Sequence, residues 1–166
     1  NGKSGNDYLL AGQKSGMVFA LDPSNEGRIL WSQKVGKGGH NGGIHWGMAA
    51  DENVLYVPIA DIGEHPFATG DPQPGIHALD IATGEVLWSH LEGSTCPQDS
   101  FECFAGFSAP ISLSSDILFA GGLNGVVHAY SSSTGAKLWK FNTRREFRSV
   151  NQLTGKGGTI DGSGPV

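Results

Sequence analysis

The chain has 166 residues, enough for an ordinary domain with a real core, and carries a formal charge of −5 with only 16% charged residues. Its 26 glycines are about twice the usual share, and no ten-residue window keeps a helical apolar period, so the composition is that of a turn-dense all-β protein. There is no basic stripe of the kind nucleic-acid binding needs, and no run approaches the roughly 18 apolar residues of a membrane span.

In chain order, three short strands are predicted over 8–12, 17–21 and 29–35, most of one four-stranded unit. Residues 37–43 read as a polar, glycine-rich loop too flexible to pack. A second set follows over 47–50, 54–59, 75–79 and 86–90. Between its second and third strands lies a Pro/Gly/Asp insert, 61–74, of a length that is usually functional or mobile. The third set is expected over 108–113, 117–121, 126–130 and 137–142. A charged, then glycine-rich crossing, 143–158, leads to a fourth set opening at 159–166. The chain begins Asn-Gly-Lys-Ser-Gly without Met, so 1–166 is expected to be an interior piece of one longer domain, with unit portions at about 7–36, 44–93, 107–143 and 159–166.

One hairpin organises these sets, because the chain writes it three times. From His77 it reads His-Ala-Leu-Asp-Ile-Ala-Thr-Gly-Glu-Val-Leu-Trp88; Val18 to Trp31 repeats it with a longer turn, and Val127 to Trp139 repeats it with Ser131 in place of the aspartate. The tryptophans stand 57 and 51 residues apart. Each copy is strand, turn and strand, with Gly27, Gly84 or Gly135 supplying the positive φ of the turn. A lone hairpin cannot bury its apolar face, so the unit must stack on copies of itself, with the tryptophan as a peg between neighbouring sheets. Four strands per period fit the blades of a β-propeller better than a sandwich.

The Ala-Leu-Asp-x-x-Thr-Gly-x-x-x-Trp hairpin resembles the tryptophan-docked repeat of the quinoprotein alcohol dehydrogenases, eight-bladed propellers that hold pyrroloquinoline quinone (PQQ). Cofactor-free scaffold proteins of the outer-membrane assembly type share that hairpin. A sharper likeness lies at Gly42-Gly-Ile-His-Trp-Gly47, which is similar to the segment whose tryptophan forms the floor under PQQ in methanol dehydrogenase and its relatives. The resemblance implies that Trp46, flanked by Gly43 and Gly47, stacks on the cofactor, and that Asp61, one strand later, ligates its calcium. A flat quinone stacks well on indole, and calcium takes hard oxygen ligands. The polyvinyl-alcohol branch of the family is the nearest in pattern. It carries a similar Cys-bearing loop, a hairpin like Ala120-Gly-Gly-Leu-Asn-Gly125, and a crossing like Phe141-Asn-Thr-Arg-Arg-Glu-Phe147 followed by Gly157-Gly-Thr-Ile-Asp-Gly162. What this implies is oxidation of an alcohol to a ketone in the periplasm or outside the cell, with electrons passing to cytochrome c.

Two departures leave the catalytic residues unassigned. The aspartate base of the family falls at Cys103, beside Glu102, and the cation that contacts the quinone carbonyls falls at Leu123. Other residues keep two readings. Trp46 is a cofactor floor or one more core tryptophan; Asp61 is a calcium ligand or a turn cap; Asp161 is a turn residue or a carboxylate facing the axis. Cys96 and Cys103, seven apart, fit a structural disulfide better than a redox pair. His40, His45 and His65 lie near the expected cofactor end without making a zinc site, and His77 and His128 occupy equivalent repeat positions, which marks them as structural. Residues 144–148 read as a solvated crossing.

Overall fold

The computed structural model describes residues 7–63, 70–93, 96 and 103–162. Among them thirteen strands form antiparallel sheets and there is no helix. β1 (Leu9–Gly12), β2 (Met17–Asp22) and β3 (Arg28–Lys34) make a three-stranded sheet. β4 (Ala49–Ala50), β5 (Val54–Ile59), β6 (Gly75–Asp80) and β7 (Val86–Leu91) make a four-stranded sheet in sequential order. β8 (Ser112–Ser114), β9 (Ile117–Gly121), β10 (Val126–Ser131) and β11 (Lys137–Asn142) repeat that order, and the inner strands β4 and β8 touch.

Two expectations of the sequence are corrected here. The first strand of the third set begins at Ser112 rather than 108, because Pro110 has no N–H to give a ladder. The crossing at 143–158 is not irregular throughout: β12 (Glu146–Arg148) and β13 (Thr154–Lys156) pair as a small ribbon. The Arg145 guanidinium lies over the rings of Phe141 and Phe147 at 4.7 and 4.8 Å and fixes that ribbon to β11.

The period of two along a strand makes the middle sheet a shared wall. Leu55, Val57, Ile59 and Leu79 enter a core with Val18 and Ile44 on the side of the first sheet, while Tyr56, Ile76 and Ala78 enter a core with Phe107, Leu118 and Tyr130 on the side of the third. Each hairpin also bulges at the same step, after Ala20, Ala78 and Ala129.

The sheets are joined by the repeated tryptophan. Trp31 Nε1–H donates to the Ile81 carbonyl at 2.8 Å, and its ring lies where a side chain on Gly84 would stand, with Cε3 2.6 Å from an added Cβ. One period later Trp88 does the same, bonding to the Ser132 carbonyl at 3.0 Å and lying 2.5 Å from an added Cβ on Gly135. The turn glycine therefore serves twice: its φ of 76° or 69° closes the turn, and its bare Cα is the seat for the ring. Asp80 stiffens one seat by accepting the Ala82 and Thr83 amides, both at 2.9 Å. At the two ends of the run the seat and peg stand open, since Gly27 has nothing near its Cα and Trp139 is 51% exposed.

His77 and His128 share a repeat position but not an environment. His77 is satisfied by Ser89 Oγ and the Gln73 carbonyl, each at 2.9 Å. His128 is 3% exposed between Phe107 and Tyr130 and neither ring nitrogen has a partner, because its cross-strand neighbour is Lys140 where His77 has Ser89. Burial pushes its pKa down to about 4; Glu92 attracts its proton, while Lys137, His90 and Lys140 repel it.

A double-mutant cycle tests the lock. Gly135→Ala is expected to cost about 1–2 kcal/mol for the left-handed backbone and about 1–3 kcal/mol more for collision with the indole. In a Trp88→Ala background the second cost should vanish; equal losses in both backgrounds would contradict the lock. For His128 the unfolded state binds a proton that the folded state refuses between pH 6.5 and about 4, so stability falls as pH drops through that window. His128→Leu should remove that fall, seen as a Tm advantage over wild type that widens from pH 7 to pH 5. His77→Leu should lower Tm at both, the partners it strands costing about 1–3 kcal/mol of stability.

Candidate functional site

The site begins with the glycine-rich loop, which is packed rather than flexible. A Cβ on Gly38 would stand 2.3 Å from the Ser15 carbonyl oxygen, one on Gly42 2.3 Å from the Gly38 carbonyl carbon, and one on Gly43 2.6 Å from the Gly16 nitrogen. Only glycine lets this backbone lie on the turn at 13–16. Asp61, just beyond β5 with φ 43°, clamps the loop from below. Its buried carboxylate accepts four backbone N–H groups: Lys37 at 2.6 Å and Gln73 at 2.9 Å on Oδ2, Gly38 at 3.1 Å and Gly43 at 2.8 Å on Oδ1. Burial disfavours the charge, but these donors outweigh it and hold the carboxyl below its ordinary range.

Out of this clamped loop the chain turns sharply. Ile44 enters the first core, and Trp46 emerges on the other side with 63% of its surface exposed. Gly47, at φ 157°, completes the turn against Pro110. A cleft of about 380 Å³ opens here, bordered by Lys14, His45, Trp46, Ser108, Leu123 and Asp161. Its walls come from distant segments. Ser108 precedes β8, and Asp161 is brought in because Ile160 donates its N–H to the Gly122 carbonyl at 3.2 Å and seats its side chain on bare Gly121.

One hydrogen-bond chain runs through the cleft. His45 Nε2 lies 3.1 Å from the Gly42 carbonyl and Nδ1 lies 2.7 Å from Ser108 Oγ. Ser108 Oγ stands 2.5 Å from Asp161 Oδ1, and the same carboxylate oxygen receives Trp46 Nε1–H at 3.1 Å and the Gly162 N–H at 2.8 Å. The Ser108 hydroxyl, more than the Gly162 and Trp46 donors, holds the Asp161 carboxyl below its usual range despite some burial. Burial and the Lys14 ammonium both depress His45.

Of the residues singled out from sequence, Trp46 and Asp161 meet in the cleft, and Leu123 lines it in place of a cation. The cation present is Lys14, which together with Ser108 escaped the sequence reading, since nothing local marks either. Gly43 lies under the loop, away from the cleft, and Asp61 has every acceptor position taken by an amide. As placed, Asp61 does not fit a calcium ion, which would need those lone pairs. Cys103 is 8% exposed and bonded to Cys96, with Cα atoms 5.5 Å apart, so its thiol is not available as a base. Glu102 and His65 lie outside the described residues, and among those described no three His, Cys, Asp or Glu side chains group to hold a metal.

Comparison with known proteins follows the same lines. A family model described as outer membrane protein assembly factor BamB matches residues 14–90 and 72–161. The polyvinylalcohol dehydrogenase of Sphingopyxis sp. (strain 113P3) is 39% identical over 167 residues, covering 98% of this chain and 25% of that protein, so the chain spans about a quarter of its relative's length. Among solved structures, BamB from Moraxella catarrhalis aligns with a TM-score of 0.61 at 20% identity over 99% of this chain and 42% of its own. Quinohemoprotein alcohol dehydrogenase ADHIIG from Pseudomonas putida HK5 aligns with a TM-score of 0.59 at 18% identity over 84% of this chain and 20% of its own. At those identities the structures speak for the propeller fold alone. With the matched repeat reaching from residue 14 to residue 161, the chain belongs to the quinoprotein-type β-propeller repeat family of that model, and along nearly its whole length it is similar to the polyvinylalcohol dehydrogenases.

Proposed function

We propose that this chain supplies the cofactor platform of a PQQ-dependent dehydrogenase that oxidises an alcohol to a ketone, a secondary alcohol such as the repeating unit of polyvinyl alcohol. Electrons would then pass to cytochrome c. The observation that carries the reading is Trp46: a large indole, 63% exposed, outside the docking positions used by Trp31 and Trp88 and held in orientation by Asp161. An exposed ring fixed in this way in a cleft of ligand size is a stacking surface. A bound quinone would supply the two-electron acceptor. The chain's own residues do the rest: Trp46 sets the plane, Gly47 lets the chain turn against Pro110 just after it, and Lys14 offers positive charge to an anionic ligand. Calcium, which the family resemblance implies, would need ligands other than Asp61. The Cys96–Cys103 disulfide supports a periplasmic or extracellular setting. A cofactor-free scaffold is the competing reading, and it gives Trp46 and Asp161 no work.

In the full-length protein, PQQ should bind with a change in its absorption spectrum, and Trp46→Ala should weaken binding by about tenfold or more, the scale of one lost stacking contact. Absence of binding, or binding indifferent to Trp46, would favour the scaffold. Asp61→Asn should leave the calcium dependence of PQQ loading unchanged while speeding amide exchange at Lys37, Gly38, Gly43 and Gln73, because an amide places its NH2 against N–H donors. A shifted calcium requirement with unchanged exchange would restore Asp61 as a ligand.

A further inference from the structure

We propose that Asp161, backed by Ser108 and His45, is the base that takes the hydroxyl proton when the alcohol is oxidised. The proposal rests on the reading of Trp46 as the quinone platform. It answers a question that reading leaves open, because the position at which the resemblance puts a base is Cys103, whose sulfur is committed to a disulfide.

The side chains of the cleft hold fewer protons than their contacts require. Three contacts run along the chain: His45 Nε2 to the Gly42 carbonyl, His45 Nδ1 to Ser108 Oγ, and Ser108 Oγ to Asp161 Oδ1, at 3.1, 2.7 and 2.5 Å. Each needs one hydrogen. A neutral imidazole and a hydroxyl bring two, and an ionised carboxylate brings none. The network is therefore one proton short. A proton added to Asp161 lets the Ser108 hydroxyl turn to His45 Nδ1, with Nε2–H kept on Gly42; a proton added to His45 leaves Ser108 donating to Asp161. Either way all three contacts become hydrogen bonds. The first case requires the proton on Oδ1; in both, the ionised Asp161 carboxylate, which borders the cleft, is the member of the group that starts without a proton.

Placement gives the vacancy its use. Ser108, Trp46 and Gly162 all donate to Oδ1, and none of these bonds engages Oδ2. Among the described residues the three donors share Oδ1, and the side chain borders the cleft. Because Trp46 donates to that same group, platform and base are held in register by a single hydrogen bond. In the reaction the alcohol O–H bond breaks and its proton goes to the Asp161 carboxylate; the carbinol C–H bond breaks and its hydrogen leaves with both electrons to the quinone; the C=O bond forms. Burial first and Lys14 second oppose charge on His45 and outweigh the Gly42 carbonyl, Asp161 and Asp61, which favour it, so the proton is not trapped on the imidazole. Asp161 would be the catalytic residue, and Ser108 and His45 positioning residues.

The test uses the full-length protein with Asp161→Asn and Ser108→Ala. The Asn oxygen still accepts from Trp46 and Ser108, so PQQ affinity should stay within about threefold of wild type. The kcat should fall by about a hundredfold or more, and the acid limb of the pH–rate profile should disappear. Histidine-labelled NMR gives a readout apart from turnover: the His45 pKa should drop in Asp161→Asn, which removes the nearby negative charge, and the drop should be smaller once Ser108 is alanine and only the through-space part remains. Ser108→Ala should lower kcat by roughly tenfold with KM retained. A kcat for Asp161→Asn within tenfold of wild type with its acid limb intact, or a His45 pKa unmoved by that substitution, overturns the proposal. Failure of wild type to bind PQQ overturns the platform reading instead, and the proposal with it.

Discussion

The structure depends on an indole ring seated on a glycine. Trp31 over Gly84 and Trp88 over Gly135 fix each sheet against the next at one distance and one angle, and the N–H bond to Ile81 or Ser132 fixes the ring's rotation. Neither interaction depends on charge. The lock needs only a bare Cα at the turn, a carbonyl just after the turn's first residue, and a tryptophan at the end of the hairpin, and the repeat supplies all three each time. Because successive sheets meet at outer pegs, their inner ends converge, and segments more than a hundred residues apart in sequence come within hydrogen-bond distance.

That convergence builds the cleft. No one sheet could make it: Lys14 comes from the first, His45 and Trp46 from the entry to the second, Ser108 from the entry to the third, and Asp161 from beyond the ribbon. The two aspartates show how environment divides labour between like side chains. Asp61 is surrounded by four amides and spends its charge on holding a loop. Asp161 receives its three donors on a single oxygen and borders the cleft. Both carboxyls lie below their ordinary range, for different structural ends.

The fold was legible in the sequence because repetition carries it. The Thr-Gly turns and the tryptophans recur at fixed points, and the seat of each ring is the same glycine that closes the turn. Less was visible wherever a residue's job depends on a partner outside its own repeat. Gly43 looked like a gap left for a cofactor and is a gap left for the turn at 13–16. Asp61 looked like a metal ligand because its position resembles one, and no local pattern announces four amides converging from 37, 38, 43 and 73. His77 and His128 are equals in sequence, yet the difference lies across the strand, in Ser89 against Lys140. Ser108 and Lys14 carry no motif and acquire meaning only when the sheets close.

The central claim is that these locks bring Trp46 and Asp161 together across 115 residues of chain. The direct measurement is the indole N–H spectrum of tryptophan-labelled full-length protein, wild type against Asp161→Asn. The account predicts that the Trp46 signal shifts, its acceptor having lost a charge, while Trp31 and Trp88, which donate to backbone carbonyls, stay in place. A Trp46 signal indifferent to residue 161, or all three signals moving together, would contradict it.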